Sequence, residues 1–267
     1  MSMFLQKGHF YDQNIILGDY YVSEKLDGMR AFWDGGFTRG KILNNVRFAN
    51  LEKVKKPEEQ VATGLWSFKG KVIQAPDWFL DYLPLGICTD GEIYLGKKSF
   101  QDCMSIVRKK KPVTEEWKQI KYHIFDLPNK NVWKPRSIRL TSKSNWEIPD
   151  LRDAYSKYCF KNGSFQYFDT VVSQLNIMEQ NKHFKVTEQT KLPLGSNLWK
   201  RRDDIVNNGG EGIVLRDANM VWDTERTNIL FKVKPIIKEA FRIISWTKGN
   251  GRNEGKIGSF ILTDGTH

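Results

Sequence analysis

The strongest constraint on the fold of this chain is that charged residues break into short, strand-like runs at five widely separated places. These are Ser23-Glu24-Lys25-Leu26-Asp27-Gly28-Met29-Arg30 ahead of Ala31-Phe32-Trp33, then Asp90-Gly91-Glu92, Tyr122-His123-Ile124-Phe125-Asp126, Glu211-Gly212-Ile213-Val214-Leu215 and Lys232-Val233-Lys234. The first block sets one lysine between two carboxylates and an arginine. A lysine close to fixed cations and shielded from water can lose its proton and attack phosphorus or carbonyl carbon. Lys25 is therefore the candidate nucleophile. Alone, a Lys-x-Asp-Gly-x-Arg run also suits a solvated hairpin turn, because Asp-Gly is a strong turn signal.

The other blocks narrow that choice. Residues 87–95 alternate around Asp90-Gly91 and read as a strand that delivers Glu92 to a concave face. An unpaired carboxylate would be costly to bury there, which marks Glu92 as functional. Lys232 and Lys234 sit two apart in a strand and so share a face. Two ammonium groups side by side repel unless an anion lies between them, and phosphate is such an anion. The glycines before Ile213-Val214 let backbone pass close to a ligand, and the β-branched pair suits a central strand.

A chain of 267 residues allows one large domain, or one with a small appendage. Its net charge of +11 points to polyanions, nucleic acid or nucleotide being the natural partner, and 13% aromatic residues argue against disorder. Cys88, Cys103 and Cys159 show no Cys-x-x-Cys spacing, which supports neither a disulfide framework nor a thiolate zinc site. A reducing cytoplasm is expected. The first residues lack the apolar core of a signal peptide, and no apolar run reaches membrane-spanning length, so no membrane partner is expected.

Between the blocks the expected structure is conventional. Residues 29–40 read as a β-hairpin turning at Asp34-Gly35-Gly36, with Arg30 and Arg39 at opposite ends of its paired strands. Residues 43–84 read as irregular with one short helix, Trp78 and Phe79 belonging to the core. Residues 99–108 have helical spacing and end in Arg108-Lys109-Lys110-Lys111 before Pro112, more cations than a helix dipole needs and hence assigned to backbone phosphates. His123 within its strand is read as packing rather than a base. Leu151, Ala154, Tyr155, Tyr158 and Cys159 suggest one or two helices within residues 136–180, and residues 197–206 another that stops at Asn207-Asn208-Gly209-Gly210. Residues 235–239 read as a linker. A strand at 240–246, a basic loop at 248–256 and a strand at 257–262 follow.

Taken in order, the five blocks resemble the covalent nucleotidyltransferase superfamily, and in detail the small ATP-dependent DNA ligases, over about residues 20–262. That resemblance implies an α+β fold. Residues 1–235 would form an ATP-grasp-like nucleotidyltransferase domain of antiparallel sheets flanked by helices, and 236–267 the start of an OB-fold barrel. It implies lysyl-AMP formation on Lys25, with ATP held by Ser23, Lys25, Arg30, Arg39, Glu92, Phe125, Lys232 and Lys234, Phe125 stacking on adenine. Mg2+ would sit on Glu92 and Glu211, a number of carboxylates that suits magnesium when phosphate oxygens and water complete its shell. Nicked duplex DNA would be the partner, met by Asp27, Arg39, Arg108, Lys109, Lys110, Lys111 and Arg226. The setting implied is a monomer in a bacterial cytoplasm or virus-infected cell, serving replication or repair. RNA ligases and mRNA guanylyltransferases share the Lys-x-Asp-Gly nucleophile and remain alternatives, as does an inactive DNA-binding module. The second unit departs from the pattern: a five-stranded barrel takes about twice its length, and the family's last basic motif has no counterpart. Self-adenylation is expected to suffer more than sealing.

Overall fold

The computed structural model describes residues 7–11, 18–128, 168–193, 195–220, 226–235 and 240–263. The chain separates into two compact units, Met1–Lys234 and Pro235–His267.

Among the described residues, two five-stranded sheets build the first unit. One contains β1 (Lys7–Phe10), β2 (Tyr20–Glu24), β8 (Thr190–Lys191), β9 (Ile213–Asp217) and β10 (Arg226–Val233), in the order β1-β10-β9-β2-β8. The other contains β3 (Met29–Asp34), β4 (Leu65–Ser67), β5 (Cys88–Tyr94), β6 (Lys121–Asp126) and β7 (Phe184–Val186), in the order β4-β3-β5-β6-β7. Helices α1 (Asp77–Asp81), α2 (Phe100–Val107), α3 (Thr114–Trp117), α4 (Phe168–Asn176) and α5 (Leu198–Asn207) accompany them. The mixed α+β class expected from sequence is present, but the sheets are not wholly antiparallel. The edge pairs β1 with β10 and β6 with β7 run parallel.

Alternation decides which face each sheet buries. In the first sheet Tyr20, Val22, Ile213, Leu215, Phe231 and Val233 point to one side, where they pack with Leu198 and Ile205 of α5. Helix α5 starts there because the Asn197 side chain accepts the Lys200 N–H at 2.9 Å, a cap worth about 1 kcal/mol. In the second sheet Ala31, Trp33, Leu65, Ile93, Tyr122, Ile124 and Phe184 join the main core with Phe79, Cys103, Trp117 and Leu175 from the helices. Each large apolar side chain among them, such as Leu65, Ile93 or Phe79, contributes about 1.5–3 kcal/mol by leaving water. The opposite face of the second sheet carries Arg30, Asp90 and Glu92 beside a second apolar cluster around Phe32, Trp66 and Cys88.

Several local expectations change. Residues 37–40 form a turn rather than the return strand of a hairpin, and β3 pairs instead with β4 and β5. The turn still needs its glycines, since Gly35 and Gly36 have φ of 80° and 84°. It is pinned by buried Asp34, whose carboxylate accepts from the Gly36 N–H at 2.9 Å, Trp66 Nε1 at 3.0 Å and the Thr38 hydroxyl. Strand β4 lies in the segment read as irregular. Phe79 is fully buried and Trp78 packs against the same core, as their setting suggested. Of the helices expected within residues 136–180, α4 is observed with Val171, Val172 and Leu175 buried, while Leu151, Ala154, Tyr155, Tyr158 and Cys159 lie outside the described residues.

The second unit holds β11 (Arg242–Lys248) and β12 (Ile257–Thr263), an antiparallel pair forming a sheet of its own. Its strands match the sequence reading, but two strands do not close a barrel.

Candidate active site

Strand β2 belongs to one sheet and β3 to the other, so the run Lys25-Leu26-Asp27-Gly28 is a crossover between sheets rather than a hairpin turn. Two glycines make the crossing possible. A Cβ on Gly28 would lie 2.2 Å from the Ile93 carbonyl oxygen and 2.9 Å from Glu92 Cγ. On the other side the Lys25 N–H donates to the Gly212 carbonyl at 2.8 Å. Gly212 has φ of 147°, and a Cβ there would lie 2.3 Å from the Val233 carbonyl oxygen. These close approaches bring the ends of β2, β9 and β10 together. Consequently Lys25, Glu211 and Lys234 converge: the Lys25 ammonium donates to Glu211 Oε2, and Lys234 Nζ reaches Glu211 Oε1 at 3.3 Å.

The open faces of the two sheets enclose a cavity of about 160 Å³. Register explains its walls. Lys232 pairs with Val214, and Val214 with Ser23, so the three form one row across the first sheet, with Arg216 and Leu230 in the next. Across from them the second sheet offers Arg30 and Glu92, directly paired on β3 and β5, with Phe125 and Asp126 from β6. Glu24, Lys25 and Leu26 complete the lining.

Charges inside this cavity are strongly perturbed. Arg30 forks onto fully buried Asp90, Nε to Oδ1 at 2.9 Å and NH2 to Oδ2 at 2.5 Å. Arg216 donates to the Ser23 hydroxyl at 2.9 Å. Both guanidinium groups lie over the Phe125 ring, at 5.4 Å for Arg30 and 4.8 Å for Arg216. Burial pushes the Glu92 carboxyl up to about 8 against the pull of Arg30 and Lys25. Burial likewise lifts Asp126 to about 7 despite Arg216. It lowers the Lys232 amine to about 8, helped by the Lys25 and Arg30 charges. A cavity that holds ammonium and guanidinium groups at such cost is built to receive an anion.

The structure thus gathers Ser23, Lys25, Arg30, Glu92, Phe125 and Lys232 at one cavity, and Glu211 with Lys234 at its edge. It does not bring Arg39 there: that side chain holds Asp81 at 2.6 Å and Asp77 at 3.0 Å on α1. Arg108 caps α2, Lys109 is bound to Glu116 at 2.6 Å, and Lys110 and Lys111 follow on the surface. Asp27 lies in the crossover. Arg226 opens β10 opposite Lys7, and its side chain lies outside the described residues. His123 packs edge-on against Tyr94 at 5.3 Å, and burial lowers its imidazole to about 4. Sequence reasoning passed over Arg216 and Asp126. The signal was present, since each is a charged residue placed directly after an apolar run, Ile213-Val214-Leu215 and Ile124-Phe125.

Glu92 and Glu211 are close enough for the Glu211 charge to raise Glu92 further. Among the described residues there is no cluster of three or more His, Cys, Asp or Glu suited to a metal. A pair of carboxylates beside an anion pocket fits a hard divalent cation that keeps water and phosphate ligands, as magnesium does.

The fold is one seen in solved DNA ligases, and Lys25 lines its cavity. No protein-family model matches the chain. A DNA ligase of Haemophilus influenzae is 22% identical over 252 residues, covering 94% of this chain and 70% of that protein. Among solved structures, a Lig E DNA ligase aligns at a TM-score of 0.65 and 24% identity, over 97% of this chain and 78% of its own. Chlorella virus DNA ligase-adenylate aligns at 0.53 and 16% identity, over 97% and 83%. In fold and in sequence the chain resembles DNA ligases along nearly its whole length. Among the described residues no helix is long and apolar enough to cross a membrane.

Proposed function

We propose that this chain is an ATP-dependent DNA ligase that seals 5′-phosphate/3′-hydroxyl nicks in duplex DNA through a lysyl-AMP intermediate. The observation that carries this reading is the placement of Lys25 on Glu211 at a cavity walled by Arg30, Glu92 and Lys232. Lys25 Nζ, its displaced protons leaving to solvent, attacks the α-phosphorus of ATP, a P–N bond forms, and the P–O bond to pyrophosphate breaks. The 5′-phosphate oxygen of the nick then takes the adenylyl group, breaking P–N and returning the amine. The 3′-hydroxyl finally attacks the activated 5′-phosphorus, loses its proton and expels AMP. Lys232 and Lys234 offset the charge that develops on the phosphoryl oxygens in each step.

Glu92 and Glu211 are the residues that would hold Mg2+, which supplies Lewis-acid polarisation of phosphoryl oxygens when bound. Arg216 keeps Ser23 and Phe125 in place at the far wall, where the base of the nucleotide would lie. Residues 1–235 act as the nucleotidyltransferase domain and 236–267 as part of an OB-fold domain; the protein works as a cytoplasmic monomer on nicked DNA. Asp27, Arg39, Arg108, Lys109, Lys110, Lys111 and Arg226 serve the DNA rather than the cavity.

The test is labelling with radioactive ATP or GTP, followed by joining of a nicked duplex. Label from ATP alone, lost together with joining in Lys25→Ala while salt-dependent DNA affinity persists, supports the reading. Stable labelling from GTP alone would assign the chain to the capping guanylyltransferases, and equal joining by variant and parent would remove the covalent step.

A further inference from the structure

The cavity leaves one neighbour of its phosphate-facing lysine unused. Strand β1 runs parallel to β10 with Phe10 in register with Lys232, so Phe10 extends the row formed by Lys232, Val214 and Ser23 by one strand. Its facing is confirmed by the next residue. Tyr11 points the opposite way, 5.8 Å from Trp199 on α5 and 5.9 Å from Phe231. Phe10 therefore stands on the cavity side of the sheet, outside the cavity lining, with 66% of its surface exposed. Lys234 Nζ lies over its ring at 5.9 Å while holding Glu211 at 3.3 Å.

An edge-strand ring left in water adds little to folding, and this one stands directly beside two lysines of the site, Lys232 in register and Lys234 over its ring. Nucleic acid binding sites combine these two elements: cations along the backbone and an aromatic face on which a base or sugar rests. We infer that Phe10 is the stacking platform for the DNA end at the nick, seating the nucleotide next to the phosphate that Lys232 and Lys234 attract. This rests on the ligase reading. Phe10 lies outside the cavity lining, so ATP held there leaves the ring free for the nicked strand.

Phe10→Ala, Phe10→Leu and Phe10→Trp are compared with the parent by fluorescence anisotropy on nicked duplex across a range of salt, and by AMP loading from ATP. Loss of the ring weakens nick affinity by at least about fivefold, the lower bound for one stacked base. Phe10→Trp retains affinity, and Phe10→Leu falls with Phe10→Ala, which separates stacking from mere apolar area. The slope of affinity against salt stays that of the parent, since no phosphate contact is removed. The loss in nick affinity exceeds any loss in AMP loading at least about fivefold. Unchanged affinity in Phe10→Ala, an altered salt slope, or parallel losses in both assays would overturn the assignment. If the parent neither loads AMP nor joins nicks, the ligase reading itself fails, and the anisotropy series still reads the ring separately.

Discussion

Substituting Asp90 by Asn tests whether the back wall of the cavity is held by charge. Asp90 is fully buried, and both of its oxygens are engaged by Arg30, at 2.9 and 2.5 Å. Asn keeps the shape and one acceptor but removes the charge and one arm of the fork. Breaking a buried ion pair by removing one partner costs about 3–5 kcal/mol, because the survivor is left uncompensated. Here the survivor has help, since Glu92 and Asp126 also act on Arg30. The loss is therefore placed at the lower end, about 3 kcal/mol. For a domain of this size that lowers the melting temperature by roughly 6–12 °C. Urea denaturation followed by circular dichroism measures it directly. The paired substitution Arg30→Met with Asp90→Leu removes both charges and recovers at least about 1 kcal/mol of the loss, as expected where desolvation offsets much of the attraction. An Asp90→Asn loss below about 1 kcal/mol, or a double variant worse than the single, would refute the view of this pair as a charge-compensating wall.

Glu92 and Asp126 are raised in the folded chain, to about 8 and about 7, above their ordinary 4.5 and 3.8. The native state thus keeps protons that the unfolded chain releases. Their contribution is full below about pH 4 and is lost as pH rises through about 7–8. The urea midpoint of the free protein should fall between pH 5 and 8, and Glu92→Gln should flatten that fall. Lys232, lowered to about 8 from 10.5, acts in the other direction and makes stability rise again above pH 8. Gly28→Ala places a methyl 2.2 Å from the Ile93 carbonyl oxygen, an overpacking that should cost about 1–3 kcal/mol in thermal unfolding. Because the crossover carries Lys25, the same variant should also slow AMP loading.

Much of the site was legible because strand parity is a strong rule. Alternation put Lys232 and Lys234 on one face and turned Glu92 inward, whereas the row joining Lys232 to Ser23 and the pairing of Glu92 with Arg30 came only with the sheet register. What failed was pairing at a distance. Asp34-Gly35-Gly36 looked like a hairpin, yet the strand after it in the sheet is β4, beginning at Leu65, because the turn's polar groups are satisfied by Asp34 rather than by a return strand. Asp27-Gly28 likewise carried a turn signal, but the glycine serves a close backbone crossing between sheets. Arg39 was grouped with Arg30 through that supposed hairpin, and without it the side chain turns to Asp77 and Asp81. Arg216 was missed, although it follows Ile213-Val214-Leu215, because its partner Ser23 lies 193 residues away in sequence.

The central claim is a bond between the Lys25 amine and a nucleotide phosphorus. Intact mass of the full chain after exposure to ATP and magnesium, followed by peptide mapping, tests it most directly. The predicted result is a gain of one adenylyl group located on Lys25 and absent from Lys25→Ala. An adduct on any other residue, or an unchanged mass for a folded chain that still joins nicks, would contradict it.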